Sequence, residues 1–397
     1  MSWFVDHPTL VTFTSHYNYG FADLFGRVAN LTNLRATGNI YVPFGDQAFT
    51  YPPGAILFFW PITWLPAANL SLVWSTASLF ALAGVLTCVA RYLFQRDLRT
   101  TFGVCAGAAA LSAAVFPPVT ECLTWGQTST FLLWMVVGDL LVVRGRARGV
   151  LVGVATAIKL YPGLFIIVWL LRRQWRTAGT ALVSFAVVTG VAWLVWPRSA
   201  TTFVTKLMIG GQDFVRLAGG TNALKSSSVA ALFTRPPFHW GTLTTDEKFA
   251  VSALVVVAAL VAGQRLWRRG FELSAMVVVL IASVIGAPVA WDHYFAFAPI
   301  LVLIPFEVGW RSALARTSLV GAVVMMYPWF LFRQPVPHTP WTATYAFAAR
   351  NALVLVALAV IIASFWPGAR RGSEDLDAAP REPGFDNAVT SEVAARA

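Results

Sequence analysis

Charge is what this chain has least of. Only 12% of its 397 residues are charged, about half the share of an ordinary soluble domain. Such scarcity excludes a disordered chain and a typical soluble enzyme. Cysteine is thin too: Cys88, Cys105 and Cys122 are scattered and make neither a disulfide framework nor a metal cluster. His7, His16, His239, His293 and His338 show no metal-ligand spacing. There is no Walker loop, dinucleotide fingerprint, zinc motif or nucleophile elbow. Nothing in the chain is built to couple transport to ATP. Residues 1–51 are polar with interleaved aromatics, and show neither an apolar span nor a signal-peptide pattern.

What the chain has is apolar bulk. Hydrophobic residues make up 57% of it and the mean hydropathy is +0.65. So much apolar surface predicts an all-α polytopic membrane protein. Spans are expected near 71–93, 100–116, 128–143, 177–196, 249–264, 273–288, 295–307, 317–332 and 347–366. Gly54 to Leu65 is too short to cross and is bracketed by prolines, so 53–66 reads as a juxtamembrane or re-entrant helix. Residues 367–397 are polar and rich in Ala, Pro and charge, and read as a disordered cytoplasmic tail. Residues 1–366 read as one transmembrane domain with no internal repeat.

Net charge is +11. The basic residues gather in short connectors: 91–99, 144–148, 172–176, 265–269, 311–316 and 370–371. That placement follows the positive-inside rule and does not call for nucleic acid. Putting every connector in the cytoplasm demands an even number of crossings between them. Two crossings then have to fit between 148 and 172, as a hairpin with Lys159-Leu160-Tyr161-Pro162 near its tip; one tilted span is the competing arrangement. The outer side receives 1–52, 117–127, 197–248, 289–294 and 333–346, and with them most of the acids that precede the tail.

The polar residues on that side are the candidates for chemistry. Asp23, set among aromatics, suits a general base or a plain turn residue. Tyr51, before Pro52-Pro53, offers a hydroxyl to a sugar or phosphate. Gln127 follows Gly126 at the mouth of a span, as ligand or as helix cap. Lys159 lies in an apolar run, where an ammonium is expensive and an anion is its natural partner; a snorkelling Lys is the alternative. Asn222, Lys225 and Ser227 lie in a polar loop able to cradle phosphate or sugar. Trp291-Asp292-His293 closes the set, with His293 as acid, base or phosphate donor.

Taken in order, these pieces resemble glycosyltransferase family 87, integral-membrane enzymes of the GT-C fold. The resemblance rests on Asp23, Gly38-Asn39-Ile40-Tyr41, Phe49-Thr50-Tyr51-Pro52-Pro53, Gly126-Gln127, Lys159-Leu160-Tyr161-Pro162, Asn222 to Ser228 and Trp291-Asp292-His293. It implies a GT-C fold of roughly ten or eleven transmembrane helices in the plasma membrane, with the active site facing outward. It implies a polyprenyl-phosphate sugar donor and a lipid-linked glycan acceptor. The expected sugar is mannose, passed to a phosphatidylinositol mannoside or lipoglycan, and no cofactor beyond the donor is expected. Asp23 and His293 become the expected catalytic pair. Tyr51, Gln127, Lys159, Tyr161, Asn222, Lys225, Ser227, Trp291 and Asp292 become the expected substrate contacts. An arabinofuranosyltransferase is one alternative and a transporter or flippase of lipid-linked sugars another. Two departures stand out. The family usually carries a spanning helix before the acidic loop, which places the true start upstream of Met1. The polar loop reads Asn222-Ala223-Leu224-Lys225-Ser226 where the family more often has Asn-Gln-Ser-Leu.

Overall fold

The computed structural model describes residues 21–42, 49–208, 226–233, 245–287, 289–327 and 340–368. Every regular element among them is helical. Four helices are long and apolar enough to cross a membrane by length and composition: α3 (Ala67–Phe94), α4 (Leu98–Val115), α9 (Trp175–Val195) and the 249–268 part of α12 (Thr245–Arg268). Before them come α1 (Ala22–Thr37) and α2 (Ala55–Phe59), the latter running into a tight turn over Trp60–Trp64. The shorter apolar helices are α6 (Ser129–Leu141), α7 (Val150–Ile158), α8 (Leu164–Leu171), α13 (Glu272–Ile285), α16 (Ala313–Met325) and the 347–363 part of α17 (Pro340–Ala363). Short pieces complete the order: α5 (Pro117–Thr124), α10 (Pro197–Thr202), α11 (Val229–Leu232), α14 (Ala298–Leu301) and α15 (Ile304–Val308). The span expected at 295–307 is thus a chain of short turns, broken at Pro299 and Pro305, each within the first residues of its helix. The segment 1–52, expected from sequence to be an outer loop, contains helix α1.

Many large apolar side chains point outward, among them Val183, Val187 and Leu194 of α9, Val104 and Leu111 of α4, and Leu254 of α12. A water-soluble monomer does not tolerate so broad an apolar girdle. With the spans it marks a multi-pass membrane protein.

The helices run between two ends. One end holds the basic connectors. Arg172 stacks on Trp267 and Arg265 on Phe365. Buried Glu307 accepts from the Leu273 and Ser274 backbone N–H groups at 2.8 and 2.7 Å and from the Tyr92 hydroxyl at 2.9 Å. It thereby caps the N-terminus of α13. Asp139 does the same for α7, through the Gly149 and Val152 N–H groups at 2.7 and 2.8 Å.

The hairpin is built on two glycines. A Cβ added at Gly149 would lie 2.4 Å from the Thr177 carbonyl oxygen, and one at Gly153 would lie 2.3 Å from that of Ala181. Only glycine admits backbones this close. The matched steps, 149 to 153 and 177 to 181, show that α7 and α9 run parallel. The chain has therefore turned back between them, through α8. The reversal occurs at Lys159, in extended conformation (φ −151°, ψ 130°), and at the Tyr161–Gly163 turn that follows. Lys159 sits at the tip of a half-length helix, facing the end away from the basic connectors.

Candidate active site

At that opposite end α1 packs against α2 and the Trp60–Trp64 turn. Its first turn is fixed by the Phe21 N–H, which donates to the Thr124 carbonyl at 2.5 Å. Gly126 lets the two segments meet: its φ is +68°, and an added Cβ would fall 2.4 Å from the Leu24 Cβ. Gln127 comes to rest beside Asp23 as a result.

Four side chains then close a ring. The Gln127 amide N–H donates to the Asp23 carboxylate. The Tyr51 hydroxyl donates to the Gln127 amide oxygen at 3.1 Å. Arg27 donates to the Tyr51 hydroxyl at 3.2 Å and to the Asp23 carbonyl at 2.5 Å. Its guanidinium also pairs with the Asp23 carboxylate at 3.5 Å. Tyr51 is held in turn by Tyr41, whose hydroxyl donates to the Tyr51 carbonyl at 2.7 Å. Burying a guanidinium is costly, and here the carboxylate, the hydroxyl and the Tyr51 ring, 4.8 Å away, compensate it. The Asp23 side chain stays about a third exposed (32%), so one of its faces remains open.

Lys159 stands over this ring. Its ammonium lies 3.7 Å from the centroid of Tyr294, 5.1 Å from that of Tyr51 and 5.9 Å from that of Tyr161. Tyr161 and Tyr294 stack at 5.8 Å, and His293 meets Tyr294 edge-on at 4.9 Å. Among the described residues the one ion pair is Arg27–Asp23, so Lys159 faces aromatic rings and no carboxylate.

His293 is buried, and burial first, then the Lys159 and Arg27 cations, push its imidazole well below the ordinary value. The site therefore presents a neutral imidazole at neutral pH.

Asp292 and Ser227 are joined to each other. The Ser227 hydroxyl donates to the Asp292 carboxylate at 2.6 Å, and the Ser227 N–H donates to the Ala290 carbonyl at 2.5 Å. Both side chains are buried. They fasten the 226–228 segment to the turn that carries His293. Trp291 precedes that turn, its carbonyl accepting from the Tyr294 N–H at 2.9 Å. Asn222 and Lys225 lie outside the described residues.

Asp23, Tyr51, Gln127, Lys159, Tyr161 and His293 thus come together. Two members of the site, Arg27 and Tyr294, were not singled out from the sequence. The signal for Arg27 was its position one helical turn after Asp23. That for Tyr294 was its place directly after Asp292-His293. Among the described residues no three His, Cys, Asp or Glu side chains gather as metal ligands do.

Comparison with known proteins bears on this geometry. The model of glycosyltransferase family 87 matches residues 49–290. A polyprenol-phosphate-mannose-dependent alpha-(1-2)-phosphatidylinositol mannoside mannosyltransferase of Mycobacterium tuberculosis is 30% identical over 306 residues, 72% of this chain and 69% of the relative. One of the same description from Mycolicibacterium smegmatis is 28% identical over 357 residues, 83% of this chain and 78% of the relative. A phosphatidylinositol pentamannoside mannosyltransferase from the latter organism is 24% identical, covering 82% of this chain and 77% of the relative. No solved structure matches the chain.

Proposed function

The chain belongs to glycosyltransferase family 87, and from that premise we propose that it moves mannose from a polyprenyl-phosphate-mannose donor to a lipid-linked glycan of phosphatidylinositol mannoside or lipoglycan type, on the outer side of the membrane. The observation that carries this reading is the unpaired Lys159 ammonium, placed beside the Asp23–Gln127–Tyr51–Arg27 ring. The relatives named above all take mannose, which favours mannose over arabinose. A transporter would not need a half-open carboxylate held in a ring of side chains beside an unpaired ammonium. The basic connectors at the opposite end support the outer location, under the positive-inside rule.

The donor brings its own leaving group. The acceptor hydroxyl oxygen bonds to C1 of mannose as the C1–O bond to phosphate breaks, with inversion and oxocarbenium character by analogy with glycoside hydrolysis. The hydroxyl proton passes to Asp23, through the carboxylate face that Gln127 and Arg27 leave open. The bonding electron pair leaves with the polyprenyl phosphate, whose charge meets Lys159 and, behind it, Arg27. The neutral His293 imidazole donates its N–H to a phosphate oxygen. The Tyr51, Tyr161 and Tyr294 rings line the place where the sugar sits.

The test is transfer of radiolabelled mannose from polyprenyl-phosphate-mannose to a mannolipid acceptor. Asp23→Asn is expected to lower the rate roughly 10²–10⁴-fold while leaving donor binding in place. A rate within a few-fold of wild type would remove Asp23 as the base. Transfer of arabinose in place of mannose would keep the mechanism and change the sugar.

A further inference from the structure

We propose that Arg35 and Arg198 form a docking site for the anionic phosphate headgroup of the acceptor lipid, at the far end of α1 from the reacting carboxylate. The inference rests on the mannolipid reading above and assigns that acceptor's phosphate a place.

Arg35 is exposed and held in position. It donates to the Thr63 hydroxyl at 3.2 Å, and its guanidinium lies 4.9 Å over the Trp60 ring. Trp60 in turn packs on Trp196, with centroids 5.3 Å apart. Two residues after Trp196, Arg198 runs alongside Gly38, its Cδ and Nη1 each 3.8 Å from where a Cβ would sit. Gly38 ends α1 with φ +70°. The junction is tied twice more: the Asn39 amide donates to the Thr202 hydroxyl at 3.0 Å, and the Ile40 N–H donates to the Ser199 hydroxyl at 3.0 Å. Arg198 is therefore fixed relative to Arg35 although the two are far apart in sequence.

Neither guanidinium is paired with a carboxylate among the described residues, where the one ion pair is Arg27–Asp23. Two forked cations at the same end of α1, each with N–H groups left over, are the donors that a phosphodiester takes. Their surroundings match its depth. Trp60, under Arg35, packs on Trp196 two residues before Arg198, and Trp64, next to Thr63, is 73% exposed. Tryptophans at this density belong at the headgroup level of a bilayer.

The donor phosphate has its own cations, Lys159 and Arg27, beside Asp23. Arg35 lies twelve residues further along α1, about 18 Å of helix rise. A donor whose C1 must reach the acceptor at Asp23 cannot place its phosphate there. An acceptor can, because its glycan separates the reactive hydroxyl from the lipid phosphate by several sugar rings.

The test compares two acceptors in a neutral detergent: a phosphatidylinositol mannoside carrying several mannoses, and the same glycan on an uncharged dialkylglycerol. Equilibrium binding of each radiolabelled lipid and its KM in mannose transfer are measured for wild type, the Arg35→Gln/Arg198→Gln double variant and an Arg311→Gln/Arg316→Gln control. The expected result is a roughly tenfold weaker affinity and a roughly tenfold higher KM for the phosphate-bearing lipid, the worth of two exposed charge-assisted contacts. The uncharged acceptor and the control variant show no such loss. Equal loss for both acceptors, or for neither, overturns the proposal. So does an equal loss of phosphatidylglycerol binding, which would make the pair a general anionic-lipid contact. If wild type transfers no mannose yet binds the phosphate-bearing lipid through this pair, the sugar reading fails and the headgroup site stands.

Discussion

Lys159 shows how a single residue can be legible from sequence. A lone ammonium in an apolar run has few structural excuses, and the structure gives it a cage of tyrosine rings and no acid. Lys159→Met is expected to raise the donor KM and to lower kcat by about 10²-fold, the loss of one fixed charge at a departing phosphate. Steady-state kinetics with varied donor check this, and an unchanged kcat would confine Lys159 to binding. Arg27 was illegible for a physical reason. A helical Asp–Arg pair one turn apart is ordinarily a surface ion pair of little consequence; only the fold buries it against Tyr51. His293 carries a pH signature. Its imidazole is held neutral by burial and by two cations, whereas the unfolded chain takes up a proton below about pH 6.5. The unfolded state then binds more protons, so stability falls as pH drops through that value. The unfolding midpoint in detergent should decline between about pH 7.5 and about pH 5.5, and His293→Gln should flatten part of the slope. A variant with an undiminished slope would assign the effect to other groups.

At the scale of the element, the hairpin depends on glycines that no side chain can replace. Gly153→Leu would drive atoms into the Ala181 carbonyl and the Ser184 Cβ. It is expected to lower thermal stability sharply and to take transfer with it, by displacing Lys159. Gly179, on the open face of α9, has nothing within 4 Å of an added Cβ. Gly179→Ala is expected to be neutral or stabilising by up to about 1 kcal/mol. Thermal unfolding of the two purified variants decides the matter, and equal behaviour would refute the close parallel packing of α7 on α9. The reversal at Lys159 was foreseeable, because the parity of the basic connectors demands it. The breaks in 295–307 were less so: Pro299 and Pro305 were visible, but a proline in the first turn of a helix and a proline that kinks one look alike in sequence. Helix α1 was hidden by its mixed composition, which averages close to neutral and announces neither membrane nor core.

The whole molecule divides its polar chemistry between two ends. Buried carboxylates at the basic end, Asp139 and Glu307, cap helices, whereas Asp23 at the other end keeps a face open. Glu307→Ala would strand the N–H groups of Leu273 and Ser274 and is expected to cost about 2–4 kcal/mol of stability. The rate per folded molecule should stay near wild type, since the lesion lies at the opposite end from Asp23 and Lys159. Denaturation in detergent, with activity normalised to folded protein, separates the two effects; a matching fall in the normalised rate would show that the ends are coupled. The half-length helices α7 and α8 also set a schedule for biogenesis. Neither is long enough to be released into lipid by itself, and their shared tip carries an ammonium. The translocon must hold them until α9, synthesised next, offers the backbone surface against which Gly149 and Gly153 close. Lys159 is thus delivered late, and a ribosome stalled just past Arg172 would leave a chain whose first spans are seated and whose candidate site has yet to form.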